Sequence, residues 1–160
     1  MKKAISLVFD SNHNNVGVIY FSQCCPLGYT LIEFNLHGFE KGETHAIHIH
    51  EYGDTRDGCK SLGLHYNPHN TTHGSILYPE KKRHAGDLIN NFSTNKNGMF
   101  RYKYSDKLVT LFGEDSILGR SIVIHKGIDD LGRGKNKDSL ISGNAGDRIA
   151  CGIIGLMKLD

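Results

Sequence analysis

The run THAIHIHE, from Thr44 to Glu51, sets two histidines at alternate positions among β-branched residues. Alternate side chains of an extended strand leave the same face, so His48 and His50 point together. Two imidazoles side by side on a rigid strand form half of a metal site. The segment from His45 to Asp87 carries seven of the ten histidines in the chain. Beyond the strand it is rich in Gly, Pro and Asn and lacks apolar periodicity, which predicts a long loop to about Ala85. Loops of that length inside a compact domain are commonly functional. A single histidine in such a loop is ordinarily a solvated polar residue. His65, His73, His84 and Asp87 behind a histidine pair instead point to metal, because imidazole is the commonest transition-metal ligand. Nitrogen and oxygen donors in this mixture suit copper and zinc.

The rest of the chain reads as short strands. Lys3–Phe9 and Val16–Ser22 flank the turn-forming SNHNN and predict a hairpin. Pro26-Leu27-Gly28 punctuates before a third strand, Tyr29–Leu36. Strand four is Thr44–Glu51, with His45 out of phase with His48 and His50 and therefore a packed core histidine. Asp87–Phe92 resumes a strand pattern, and Thr94–Gly98 is a hairpin turn leading into Met99–Tyr104. A connector, Leu108–Ser116, precedes a buried strand, Gly119–His125, which ends on a further histidine. Lys126–Asp147 is a second irregular segment, with at most a short helical turn near Asp138–Leu140, and Arg148–Met157 is the last strand. Eight strands and two long loops predict an all-β, antiparallel Greek-key barrel or sandwich, formed by residues 1–160 as a single domain.

Charge and hydropathy narrow the function classes. At 160 residues the chain can bury one real core, and its net charge of +2 is spread evenly. No nucleic-acid footprint is present, and a mildly basic balance does not repel a small anion. MKKAISLVFD has too short an apolar run for a signal peptide, and no segment is long enough to span a membrane. A cytoplasmic protein is expected. Four cysteines in such a chain are ordinarily free thiols. Cys24 and Cys25, being adjacent, are read as free.

HIHEYGD, GCKSLGLHYNPH, RHAGDL and GNAGDRIACGIIG, in this order, resemble the copper,zinc superoxide dismutases, especially the eukaryotic cytosolic type. The similarity runs from Lys2 to Leu156. It implies copper held by His48, His50, His65 and His125, and zinc held by His65, His73, His84 and Asp87, one ion of each per chain. His65 would bridge the ions through both ring nitrogens. Copper would cycle between Cu(II) and Cu(I) to convert superoxide to oxygen and hydrogen peroxide, with His65 also carrying a proton. Zinc, without redox chemistry, would fix the loop.

The resemblance also implies a Cys59–Cys151 disulfide, against the default of free thiols. Asp129 would accept hydrogen bonds from one copper and one zinc ligand, where the alternative is a simple turn aspartate. Asp130 is read as surface. Arg148 would dock the anion beside copper, where the alternative is a strand cap. Gly63 and Asn144-Ala145-Gly146 would shape the channel mouth. The family further implies a homodimer, through the last strand and the start of the metal loop, and a copper chaperone as a partner. The Asn-, Lys- and Ile-rich composition suits an AT-rich genome, that of a large virus among them.

Two departures stand out. Many relatives guide superoxide with an acidic pair and a lysine, but here Lys137 replaces one acid and Ile141 the lysine. Lys126, Arg133 and Lys135 are candidates to restore an attractive field. The loop between His73 and His84 is also longer, at Ser75–Arg83, and His69 is an extra histidine expected to be exposed. His13 is read as solvated, and His37 has no evident role. Two other readings compete with the enzyme: a metal-binding relative without catalysis, which would lose copper ligands or Arg148, and a zinc-only module, which would not need His48, His50 and His125.

Overall fold

The computed structural model describes residues 1–159. Its strands are β1 (Lys2–Asp10), β2 (Asn15–Gln23), β3 (Thr30–Leu36), β4 (Thr44–His50), β5 (Asn90–Ser93), β6 (Phe100–Asp106), β7 (Ser121–His125), β8 (Arg148–Ile153) and β9 (Gly155–Leu156). A one-turn helix, α1 (Ser139–Ser142), lies in the second long loop. Among the described residues no helix is long and apolar enough to cross a membrane.

All strand pairings are antiparallel, in the order β5-β4-β7-β8-β1-β2-β3-β6. The chain crosses over between β3 and β4 and again between β6 and β7, which makes the Greek key. The outer strands β5 and β6 are joined by the Asn95–Gly98 turn, and Phe92 packs on Phe100 with ring centroids 5.1 Å apart. The sheet therefore curls into a nearly closed barrel of eight strands, as the sequence predicts.

Alternation decides what each strand gives to the barrel and what it gives to the site. Ile47 and Ile49 of β4, and Ile122 and Ile124 of β7, belong to the apolar interior with Ile19, Phe21, Ile32, Leu36 and Phe92. Their neighbours His48, His50 and His125 leave the opposite face, which in an open barrel would meet water. All three are nonetheless buried, because the two long loops fold over that face. His45 is on the barrel side, 5 % exposed, packed at a tilt against Phe39 and Phe92. Its Nδ1 lies 3.1 Å from the His125 carbonyl oxygen, so it braces the strand that presents His125.

Most strand ends shift by one or two residues from the sequence expectation, and two boundaries differ by more. The strand predicted from Asp87 begins only at Asn90, because Ala85–Asp87 forms a 3-10 turn. The Asp87 carboxylate draws the chain into that turn by accepting from Gly74 N at 3.0 Å and His84 N at 2.8 Å. The last strand breaks at Ile154, whose backbone exchanges hydrogen bonds with Gly119 and Arg120, before β9 pairs with β1.

Candidate metal centre

The expected ligands converge in two buried clusters that share one residue. Ligand atoms of His48, His50, His65 and His125 lie within 4.8 Å of one another, and so do those of His65, His73, His84 and Asp87. β4 supplies His48 and His50, β7 supplies His125, and the loop supplies the others. His65 is fastened to β4 by a bridge to His50, which seats it between the clusters.

Hydrogen bonds fix how each ring is turned. His50 Nδ1 lies 3.0 Å from Gly63 O, and His125 Nδ1 lies 3.0 Å from Gly146 O. A carbonyl only accepts, so both Nδ1 atoms carry the proton and both Nε2 atoms present lone pairs. Those two Nε2 atoms face each other at 3.3 Å. His48 is turned the other way, with Nε2–H donating to Asp129 Oδ2 at 2.7 Å. Its Nδ1 is left facing the cluster. Gly63 reaches the geometry that aims its carbonyl at His50 through φ +78°, a region a side chain would strain.

The second cluster is built on one carboxylate. Asp87 Oδ1 lies 2.8 Å from His73 Nδ1, 3.2 Å from His65 Nδ1 and 3.1 Å from His84 Nδ1. The last contact is not aligned as a hydrogen bond, and His84 Nδ1 is unpartnered, as are His48 Nδ1 and His65 Nε2. An orphaned buried nitrogen costs about 1–3 kcal/mol. Three of them aimed into two clusters are explained by cations that take up their lone pairs. The donor chemistry passes the same test, since four imidazoles suit copper and three imidazoles with a carboxylate suit zinc.

The electrostatics prepare neutral ligands. Burial pulls the His48 and His125 pKa values down to about 4 and that of His65 down to about 3, and that of His50 well below its ordinary value. His48, His50 and His125 need not shed a proton to bind a cation, whereas His65, to serve both clusters, would give up its one remaining N–H proton. His73 goes the other way. Burial lowers its pKa, but the carboxylates of Asp129 and Asp87 outweigh that and raise it to about 9.

Asp129 joins the clusters, with Oδ2 on His48 and Oδ1 2.8 Å from His73 Nε2. It is itself held by groups the sequence did not single out. Asn90 Nδ2 donates to Asp129 Oδ2 at 2.9 Å, while Asn91 donates to the Asp129 carbonyl and accepts from its N–H. Two adjacent asparagines where a strand should begin with an apolar residue were the available signal. Asp130, expected at the surface, is half-buried and organises the second loop. It accepts from Gly132 N, Ser139 Oγ and Asn144 Nδ2.

Arg148 is half-buried beside the first cluster, donating to Gly63 O at 2.6 Å and Cys59 O at 2.8 Å. Gly63 O thus accepts from both Arg148 and His50. The Cys59–Cys151 disulfide is formed, while Cys24 and Cys25 are free and exposed. His13, His37 and His69 are exposed and outside both clusters. Lys126, Lys135, Lys137, Arg133 and Ile141 are exposed as well. Arg133 donates to Tyr78 Oη at 2.8 Å, which ties the second loop to the lengthened part of the metal loop.

A Greek-key barrel whose loops close two fused histidine clusters defines a binuclear metalloprotein. Comparison with known proteins gives the family. The model for copper/zinc superoxide dismutase (SODC) matches residues 15–154. Superoxide dismutase [Cu-Zn] 5 of Dictyostelium discoideum is 46% identical over 143 residues, covering 89% of this chain and 91% of that protein. Superoxide dismutase [Cu-Zn] of Talaromyces marneffei is 43% identical over 156 residues, covering 98% and 99%. That of Saccharomyces cerevisiae is 43% identical over 140 residues, covering 88% and 89%. The chain belongs to the copper/zinc superoxide dismutase family.

Proposed function

We propose that this protein is a superoxide dismutase that uses copper and zinc, with residues 1–160 acting as one catalytic domain. The observation that carries the reading is the sharing of His65 between two buried clusters, with Nδ1 toward Asp87 and Nε2 unpartnered toward His48, His50 and His125. We assign His48, His50, His65 and His125 to copper, and His65, His73, His84 and Asp87 to zinc. Family membership and the presence of Arg148 support catalysis over a metal-binding relative without it.

Bound copper supplies a one-electron couple that superoxide can both reduce and reoxidise. The chain's residues do the rest. Arg148 offers fixed cationic N–H donors next to the His50 and His125 nitrogens, and so holds a small anion there. His65 Nε2 takes up a proton in the half-reaction that releases oxygen and delivers it in the half-reaction that forms hydrogen peroxide. Two superoxide ions and two protons thus give one oxygen and one hydrogen peroxide. Asp129 keeps His48 and His73 oriented throughout, and the Gly63 and Gly146 carbonyls keep Nε2 of His50 and His125 in the acceptor form.

A homodimer is part of the proposal. Leu7, Phe9, Tyr52 and Ile153 are exposed, and Gly53 lies against Ile153, so the last strand and the start of the metal loop share one apolar surface. Sedimentation analysis tests it. A copper chaperone is the other partner proposed, tested by whether Cu(I) alone reconstitutes metal-free protein. The exposed thiols of Cys24 and Cys25 support a reducing, cytoplasmic location.

Metal content and superoxide consumption measured on one purified sample, with His125→Ala as control, test the function. About one copper and one zinc per chain, with activity lost and zinc retained in the variant, is the expected result. Metal without activity would overturn it in favour of a non-catalytic binder.

A further inference from the structure

Cys24 and Cys25 take no part in the chemistry above. They follow β2 at the turn into β3, both exposed, with their Sγ atoms 3.3 Å apart. The turn is clamped: Gly28 N donates to Cys25 O at 3.0 Å and Gln23 Nε2 donates to Gly28 O at 2.7 Å. Gln23 is buried, pairs with Thr30 across the hairpin, and accepts from Leu111 N at 2.7 Å. Both sulfurs converge over Gly28, where an added Cβ would stand 2.9 Å from Cys24 Sγ and 3.2 Å from Cys25 Sγ. The thiols are therefore held in contact by a fixed turn and do not depend on chance encounters in a loose one.

We propose that Cys24 and Cys25 form a peroxide-modified dithiol, which hydrogen peroxide converts to a labile disulfide between the two adjacent residues. The Cys25 thiolate attacks one peroxide oxygen, an S–O bond forms as the O–O bond breaks, and hydroxide leaves. Cys24 Sγ then attacks the Cys25 sulfur, the S–S bond forms as the S–O bond breaks, and the departing hydroxide leaves as water with the Cys24 proton. Two thiols and one hydrogen peroxide give one disulfide and two waters, the sulfurs losing the two electrons that the peroxide gains. The thiol interaction with Cys25 pushes the Cys24 pKa up, so Cys24 gives up its proton as it attacks; what suits it to the second step is the contact of the two sulfurs at 3.3 Å. Lability follows from covalent geometry. Adjacent Cα atoms are about 3.8 Å apart, below the range of about 4.4–6.8 Å in which disulfides close without strain. A strained, exposed disulfide is readily reduced.

Hydrogen peroxide is the product of the proposed activity, but added peroxide serves equally, so the dithiol stands or falls independently of the metal assignment. Metal-loaded protein is treated with hydrogen peroxide, digested without reduction and read by mass spectrometry. The expected result is a Cys24–Cys25 peptide lighter by two hydrogens, returned to dithiol by glutathione, with the Cys59–Cys151 link intact. In Cys24→Ser, Cys25 has no resolving partner and gains oxygen instead. Gly28→Ala keeps both thiols but crowds the sulfurs, and slows disulfide formation several-fold without unfolding the chain. Oxygen addition at both cysteines of the unaltered protein, links between chains, unreacted thiols, or an unchanged rate in Gly28→Ala would each overturn the proposal.

Discussion

Asp129 grips one ring from each cluster, with Oδ2 2.7 Å from His48 Nε2 and Oδ1 2.8 Å from His73 Nε2. Each ring therefore directs its other nitrogen at a different cluster, and one carboxylate sets both orientations. An asparagine can accept on one side only, and its amide would oppose an N–H on the other. Asp129→Asn is expected to lower affinity for both metals by roughly 10–100-fold. Competition against a chromophoric chelator measures this, and unchanged affinity for either metal would mean that its ring is oriented by something else.

Arg148 offers the substrate anion a guanidinium fork beside the first cluster. Arg148→Ala should lower kcat/KM on the order of tenfold through loss of local attraction, with copper and zinc contents unchanged. Arg148→Lys should fall between, because it keeps the charge and loses the fork. Lys135 and Lys137 are exposed cations on the second loop, whereas Arg133 is engaged with Tyr78. Attraction by exposed cations is screened over about 10 Å at 0.1 M salt, so kcat/KM should fall as ionic strength rises. A rate indifferent to salt would rule out steering by these lysines.

Much of this centre was legible because strand alternation is a strict rule. His48-x-His50 could point only to one face, and His125 had to end its strand on the face opposite Ile122 and Ile124. The disulfide and the division of ligands between two clusters became readable only through resemblance, since spacing alone cannot say which loop residues meet. What stayed hidden rests on backbone conformation. Gly63 O and Gly146 O set two tautomers, yet a carbonyl leaves no mark in a sequence. The late start of the strand predicted from Asp87 had the same origin, because the carboxylate captured the N–H groups of Gly74 and His84 in competition with the sheet ladder. Asn90 and Asn91 were visible as letters, but their partner, Asp129, lies far along the chain.

Arg83 and Asp106 form a buried ion pair, with Arg83 Nη2 at 2.8 Å and 2.9 Å from the two carboxylate oxygens. Arg83 immediately precedes the ligand His84, and Asp106 ends β6, so the pair pins the metal loop to the barrel. Removing one partner strands a buried charge, and Asp106→Ala should cost about 3–5 kcal/mol in unfolding free energy. Replacing both, Arg83→Met with Asp106→Leu, should recover much of that loss, because the isolated charge and not the absent attraction dominates. Denaturant unfolding of the three variants decides this, and a double variant no better than the single one would refute it.

Cys59 has two jobs that can be separated by experiment. Its sulfur joins Cys151 across 92 residues, and its carbonyl oxygen accepts from Arg148 at 2.8 Å. A loop of that size gives about 4–5 kcal/mol through restriction of the unfolded chain, so Cys151→Ser should lower stability by that order. Cutting the bond also frees the segment that carries Cys59 O, while Gly63 O still holds the other arm of Arg148. The guanidinium should lose part of its fixed position, and kcat/KM should drop in the same direction as in Arg148→Ala but by less. Stability lost with kcat/KM unchanged would show that Gly63 alone positions the arginine.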